Sequence, residues 1–155
     1  MSSDQPLGFF VFDYAWVLFI LFTCIQAFRL KARSSNIVDE HPELQKGYDQ
    51  LFKGYLFYLN IPWVIIAIGM LFGKVPSTYS FLRPRDGNPF VIAFHLAIVM
   101  LWVLGIWWVY FKGGAEFLVK YKGLFNREVT SSFIKFYLGA CLLGGVLGMV
   151  FMWST

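Results

Sequence analysis

The chain alternates long apolar blocks with shorter polar ones. Four stretches, 8–28, 54–72, 90–111 and 132–153, are almost continuously apolar, and each is closed by charge or by turn residues. A helix needs about 20 apolar residues to cross a hydrocarbon core, so each block is long enough to span one. A closed β-barrel also satisfies its backbone in lipid, but its strands alternate apolar and polar residues over about ten positions. These blocks do not alternate. The pattern therefore predicts an all-α integral membrane fold, with four transmembrane helices in an up-down bundle forming a single domain over 1–155.

Composition agrees. Of 155 residues 58% are hydrophobic and 14% charged, and the mean hydropathy is +0.61, which is too apolar for a soluble domain of this length. The first block starts soon after Met1, behind a stretch that carries Asp4 and no basic residue. A signal peptide has a positive n-region and a small-residue cleavage site, so the block is expected to be a retained anchor. Cys24 and Cys141 fall in different blocks and form no Cys-x-x-Cys pair. They read as small buried hydrophobes, with no disulfide or zinc framework implied.

Charge adds an orientation. Arg29, Lys31, Arg33, Lys46 and Lys53 surround the first connection, and Lys112, Lys120, Lys122, Arg127 and Lys135 the third; the middle connection has Lys74, Arg83 and Arg85. By the positive-inside rule the first and third connections face the cytoplasm or its organellar equivalent, and both termini lie on the non-cytoplasmic side. The expected location is a bacterial inner membrane or an organellar membrane. The net charge of +4 needs no nucleic acid to explain it, because the basic residues are interleaved with Asp39, Glu40, Glu43, Asp49, Glu116 and Glu128 and form no stripe. Membrane lipids, anionic headgroups included, and other membrane protein subunits are the expected partners.

Finer signals divide the connections. His41-Pro42-Glu43 has the form of a helix start, and Leu44, Tyr48, Leu51, Phe52 and Tyr55 then recur at helical spacing. An amphipathic extension before the second membrane helix follows, lying on the headgroups or binding a partner. Asn60 and Pro62 interrupt that helix, since proline lacks a donor and clashes with the carbonyl of Tyr58; they form a candidate helix-break site. Pro76, Pro84 and Asp86-Gly87-Asn88-Pro89 predict a turned, non-helical outer loop that docks on a partner or folds back over the bundle mouth, with Asn88 capping the third helix. Gly113-Gly114 ends the third helix, and Phe117, Leu118, Tyr121, Leu124 and Phe125 suggest a short interfacial helix before Asn126 caps the fourth. Trp107, Trp108 and Tyr110 on one side, and Tyr14 and Trp153 on the other, fit aromatic belts.

In the fourth helix Ala140, Gly144 and Gly148 recur every four residues, with Gly139 and Gly145 alongside. Such a stripe lets another helix approach closely, from the same chain or a second protein.

Candidate chemistry is sparse. The chain has no phosphate-cradling glycine loop, His-Glu-x-x-His or Gly-x-Ser-x-Gly, and a haem held by two histidines of this chain would need a second membrane histidine. Ionisable groups inside a membrane are costly and commonly functional. Asp13 and His95 lie about five residues inside their helices, roughly 7 Å deep at 1.5 Å per residue, so they share a depth. They form a candidate outward-facing polar site for proton exchange, a quinone headgroup, or ligation of a pigment or metal. The plainer alternative has Asp13 reaching the interface and His95 bonding a neighbouring carbonyl. Gln26, Asn60, Ser131, Ser132 and Lys135 make an inner polar layer, with Lys135 reaching the headgroups and Gln26 and Asn60 bonding between helices.

With no catalytic set, the reading that follows is a non-catalytic structural, accessory or assembly subunit of a larger membrane complex, photosynthetic or respiratory ones included. A small homo-oligomeric transporter or channel and a cofactor- or quinone-binding protein using His95 are the alternatives.

Overall fold

A computed structural model describes residues 13–121 and 129–154. Among them there is no strand. The helices are α1 (Ala15–Glu40), α2 (Gln45–Phe57), α3 (Ile61–Leu71), α4 (Pro89–Ile106), α5 (Gly114–Lys120) and α6 (Ser131–Ser154). Four helical stretches are long and apolar enough to cross a membrane: Ala15–Glu40, Pro42–Leu71, Pro89–Phe111 and Ser131–Ser154. Much of their apolar surface points outward, with Phe111 75% and Phe136 74% exposed. A water-soluble bundle turns its apolar stripe inward, so these surfaces call for an apolar solvent.

The first helix outruns its apolar block by three turns, continuing through Arg29 to Glu40. Its continuation is held by the amphipathic extension that begins at Pro42, first as a 3₁₀ turn (Pro42–Leu44) and then as α2. Thr23, Ala27, Leu30 and Ser34 are the buried positions of α1, spaced four, three and four apart, which is the seam of two helices packing side by side. Leu30 meets Tyr48, Leu51 and Tyr121 in one cluster, flanked by Ile37, Val38, Leu44, Phe117 and Leu118. The apolar face of the extension is thus covered by α1 and α5 of the same chain. Tyr121 lies across Gly47 so closely that a Cβ there would enter its ring.

At the opposite end, the connection between α3 and α4 folds back over the helices. Two 3₁₀ turns, Thr78–Leu82 and Pro84–Asp86, replace the expected non-helical path; in the second, proline at the first position is compatible with a short helix that needs no donor there. Phe81 is 1% exposed and clusters with Ile66, Val75 and Val91. Asn88 caps α4 as its spacing predicts, its side chain accepting from Phe90 N at 2.9 Å.

The α4 helix loosens into a π turn over Trp107–Phe111 and stops at Gly113, whose φ of +71° is left-handed. Residues 122–128 are outside the described residues, and with them Leu124, Phe125 and the expected cap Asn126. The α6 helix starts at Ser131, and Thr130 Oγ1 accepts from Phe133 N at 3.2 Å as its cap. It reaches α4 through Trp102 opposite Gly145 and through Tyr110.

Candidate functional site

Three polar groups stand out along the membrane helices. The outermost is built on the start of α1 and the outer connection. Asp13 Oδ1 accepts from the amide of Thr78 at 3.2 Å, and the Asp13 carbonyl lies 3.2 Å from the Thr78 hydroxyl. That hydroxyl also lies 3.3 Å from Met70 Sδ. Asp13 thereby ties the outer connection to α1. Thr78 carries no hydrophobic or ionisable signal, so periodicity and charge gave no reason to single it out.

His95 sits on α4 and is 3% exposed. Its Nδ1 lies 2.9 Å from the carbonyl of Val91, one turn earlier. A carbonyl only accepts, so Nδ1 carries a proton, and in the neutral ring that tautomer leaves the lone pair on Nε2. Nε2 is buried with no hydrogen-bond partner. Phe94 and Trp153 stand edge-on to the imidazole at centroid distances of 5.4 and 5.9 Å. The Trp16 Nε1, from α1, is a second buried polar atom without a partner. No hydrogen bond joins Asp13 to His95: the carboxylate is engaged by Thr78, the imidazole by Val91.

The second group lies at the junction of α2 and α3, where Tyr58–Asn60 form a 3₁₀ turn ahead of Pro62. In such a turn each amide donates three residues back instead of four, which strands carbonyls of the preceding turn. Asn60 repairs one of them. It is 6% exposed, and its Nδ2 donates to the carbonyl of Leu56 at 2.8 Å. Its Oδ1 accepts from the Thr23 hydroxyl of α1 at 2.6 Å. The same hydroxyl lies 3.0 Å from the carbonyl of Phe19 and 2.9 Å from that of Ile20, but with one proton it serves one acceptor at a time. The partner of Asn60 across the helices is thus Thr23. The spacing of Thr23, Ala27 and Ser34 was the available signal for that seam.

The third group joins α5 to the start of α6. Lys135 Nζ pairs with Glu116 Oε1 at 2.9 Å, and the Tyr110 hydroxyl donates to the Lys135 carbonyl at 2.6 Å. Hydrogen bonding from Lys135 is the main cause holding the Glu116 carboxyl below its ordinary range, with a backbone hydrogen bond adding to it. Lys135 therefore has a carboxylate partner in the chain.

The small residues of α6 divide into two sets. A Cβ on Gly145 would meet Trp102, and one on Gly139 would meet the Tyr110 hydroxyl at 3.3 Å. Gly144 and Gly148 have nothing within 4 Å, and Ala140 is exposed. The Ala140, Gly144, Gly148 stripe therefore faces away from the described residues of its own chain. Cys24 and Cys141 are both free thiols. No group of three or more His, Cys, Asp or Glu side chains is gathered for a metal among the described residues.

The fold defines an all-helical chain with four helices able to cross a membrane, as suits a membrane protein. Comparison with known protein families, with curated proteins and with solved structures finds no match for this chain.

Proposed function

We propose that this chain is a non-catalytic subunit of a larger membrane assembly. Its helices run up and down, both termini lie on the non-cytoplasmic side, and α6 is the helix that meets neighbouring subunits. The observation that carries this reading is the outer face of α6. None of its most apolar 18-residue window is buried within the chain, yet that window's exposed side carries glycines. A glycine inside a helix is worse than alanine by about 0.5–1 kcal/mol. Gly139 and Gly145 have a local reason, the approach of Tyr110 and Trp102. Gly144 and Gly148 have none among the described residues, and lipid tails require none, being as content against leucine. A helix from another subunit does require it, because in lipid close van der Waals contact replaces the hydrophobic effect as the force for association.

The test is native electrophoresis of membranes solubilised in mild detergent, comparing the wild type with Gly144→Leu and Gly148→Leu. A heteromeric band that both substitutions dissolve, while the chain keeps its own thermal transition, supports the subunit reading. A lone chain or a homo-oligomer, unaffected by either substitution, overturns it.

One observation favours a second reading, a cofactor- or quinone-binding protein. The unpartnered Nε2 of His95 is oriented by a backbone carbonyl on its other nitrogen, as ligating histidines commonly are. To be reached by a ligand it needs the Trp153 end of α6 to move. A visible absorption band, or bound quinone, that disappears in His95→Ala would support this reading, and its absence from the native preparation would rule it out.

A further inference from the structure

The inner half of the α4 and α6 pair holds an apolar groove that the subunit reading does not use. On one side Ile106, Tyr110 and Phe111 form its wall, and on the other Gly139, Leu143 and Val146. Its shape follows from two local departures from regular helix. The π turn over Trp107–Phe111 widens the end of α4, and π turns of this kind recur at functional sites. Gly139 leaves room for the Tyr110 hydroxyl to reach the Lys135 carbonyl, so the two helices are joined at the floor of the groove and diverge beside it. The stripe of Ala140, Gly144 and Gly148 is on another side of α6 and remains free for a neighbour.

Length and charge identify the occupant. From Gly139 to Val146 the groove runs about 10 Å along α6 at 1.5 Å per residue, which lies within one leaflet of a hydrocarbon core about 30 Å thick. At the inner mouth stand two cations. Lys112 follows Phe111 directly, its Nζ 5.0 Å from the centre of the Trp107 ring. Lys135 lies one turn before Gly139 and is neutralised by Glu116. Lys112 has no carboxylate within ion-pair distance among the described residues. A shallow apolar groove within one leaflet, with an ammonium at headgroup level that no described carboxylate pairs, matches part of an acyl chain joined to an anionic phosphate.

We propose that this groove is a binding site for one anionic phospholipid. An acyl chain lies between Tyr110 and Val146 and the headgroup phosphate meets Lys112. Every lipid around a membrane helix touches apolar side chains; this one is distinguished by retention and by headgroup preference. A lysine near a membrane surface is worth about fivefold in affinity for anionic lipid, which sets the scale for the charge.

The probe is the full-length protein reconstituted in bilayers of equal parts phosphatidylglycerol and phosphatidylcholine. It is then stripped in mild detergent and weighed by native mass spectrometry. The wild type is expected to retain one phosphatidylglycerol in preference to phosphatidylcholine. Lys112→Gln should lower that preference about fivefold while still holding a lipid. Val146→Trp fills the groove and should retain neither. Both positions are exposed, so an unchanged thermal transition shows that the variants fold. A wild type that retains no lipid, or retains both headgroups equally, overturns the proposal. So does retention in Val146→Trp equal to the wild type, or a second protein chain found in the groove in place of lipid.

Discussion

The bond between Thr23 and Asn60 gives the sharpest test of how the helix break is held. Consider Thr23→Val and Asn60→Leu, singly and together. Thr23→Val removes the hydroxyl that reaches Asn60 Oδ1 at 2.6 Å and leaves that oxygen with one donor fewer. Bonds of this kind between membrane helices average about 0.6 kcal/mol and reach about 1.7. The short distance and full burial put this one near 1 kcal/mol, by the same scale. Asn60→Leu loses that bond and also withdraws the donor from the Leu56 carbonyl. An orphaned buried acceptor costs about 1–3 kcal/mol, so this variant should lose about 2–3 kcal/mol in all. The double variant should cost no more than Asn60→Leu alone, because once Asn60 is gone the Thr23 hydroxyl turns to the carbonyls of Phe19 or Ile20, both within 3.0 Å. The coupling energy is then about 1 kcal/mol, the worth of the shared bond. The assay is reversible unfolding in mixed micelles of increasing denaturing detergent, followed by helicity. Two results would refute the reasoning: additive losses in the double variant, or a loss in Thr23→Val as large as in Asn60→Leu. The first would mean that Thr23 and Asn60 share no bond of consequence, the second that Asn60 does not repair the Leu56 carbonyl.

Two further expectations concern the inner end. Gly47→Ala places a Cβ in the Tyr121 ring, which should cost about 1–3 kcal/mol as other overpacked sites do; in the background of Tyr121→Ala the same change should cost little, and a thermal melt of the two backgrounds separates the cases. The carboxyl of Glu116 is held below its ordinary range by Lys135, so its contribution is present above that range and is lost as pH falls through the lowered value. Intrinsic fluorescence of the α5 and α6 junction, where Trp108 stacks edge-on to Phe117, should show an acid transition in the wild type that Glu116→Gln lacks.

How much of this was legible in the sequence varies with the kind of signal. Continuous apolar runs gave the four membrane helices, since length and composition alone decide whether a helix can cross. Local chemistry also read true where Asn88 caps α4 and Gly113 ends the helix before α5. The first helix extends to Glu40 beyond its apolar block because its polar continuation packs on α2 through Leu30 and its neighbours. An apolar run marks only the part of a helix that faces lipid, so the block ended early. At the candidate site, Asp13 and His95 share a depth, but depth along two helices says nothing of the angle between them. Each finds a nearer backbone partner, Thr78 for the one and Val91 for the other.

The small residues show why such partners are hard to assign from one chain. Two seams of the same kind occur here. In α1, Thr23, Ala27 and Ser34 let α2 and α3 approach, and they are buried in the chain. In α6, Ala140, Gly144 and Gly148 recur every four residues and have no described residue against them. In water the two would differ in hydrophobicity, because a face left open to solvent turns polar. In lipid both the buried and the open face are apolar, so composition does not distinguish them. What does distinguish them is the helix that stands opposite. The bulky residues of α4 come to Gly145 and Gly139, on other sides of α6, and leave the stripe open. A helix that gives up side chains along a face the described residues of its own chain do not use is what a neighbouring helix would account for. For Gly144 and Gly148, that neighbour is the helix of an adjoining subunit that we propose.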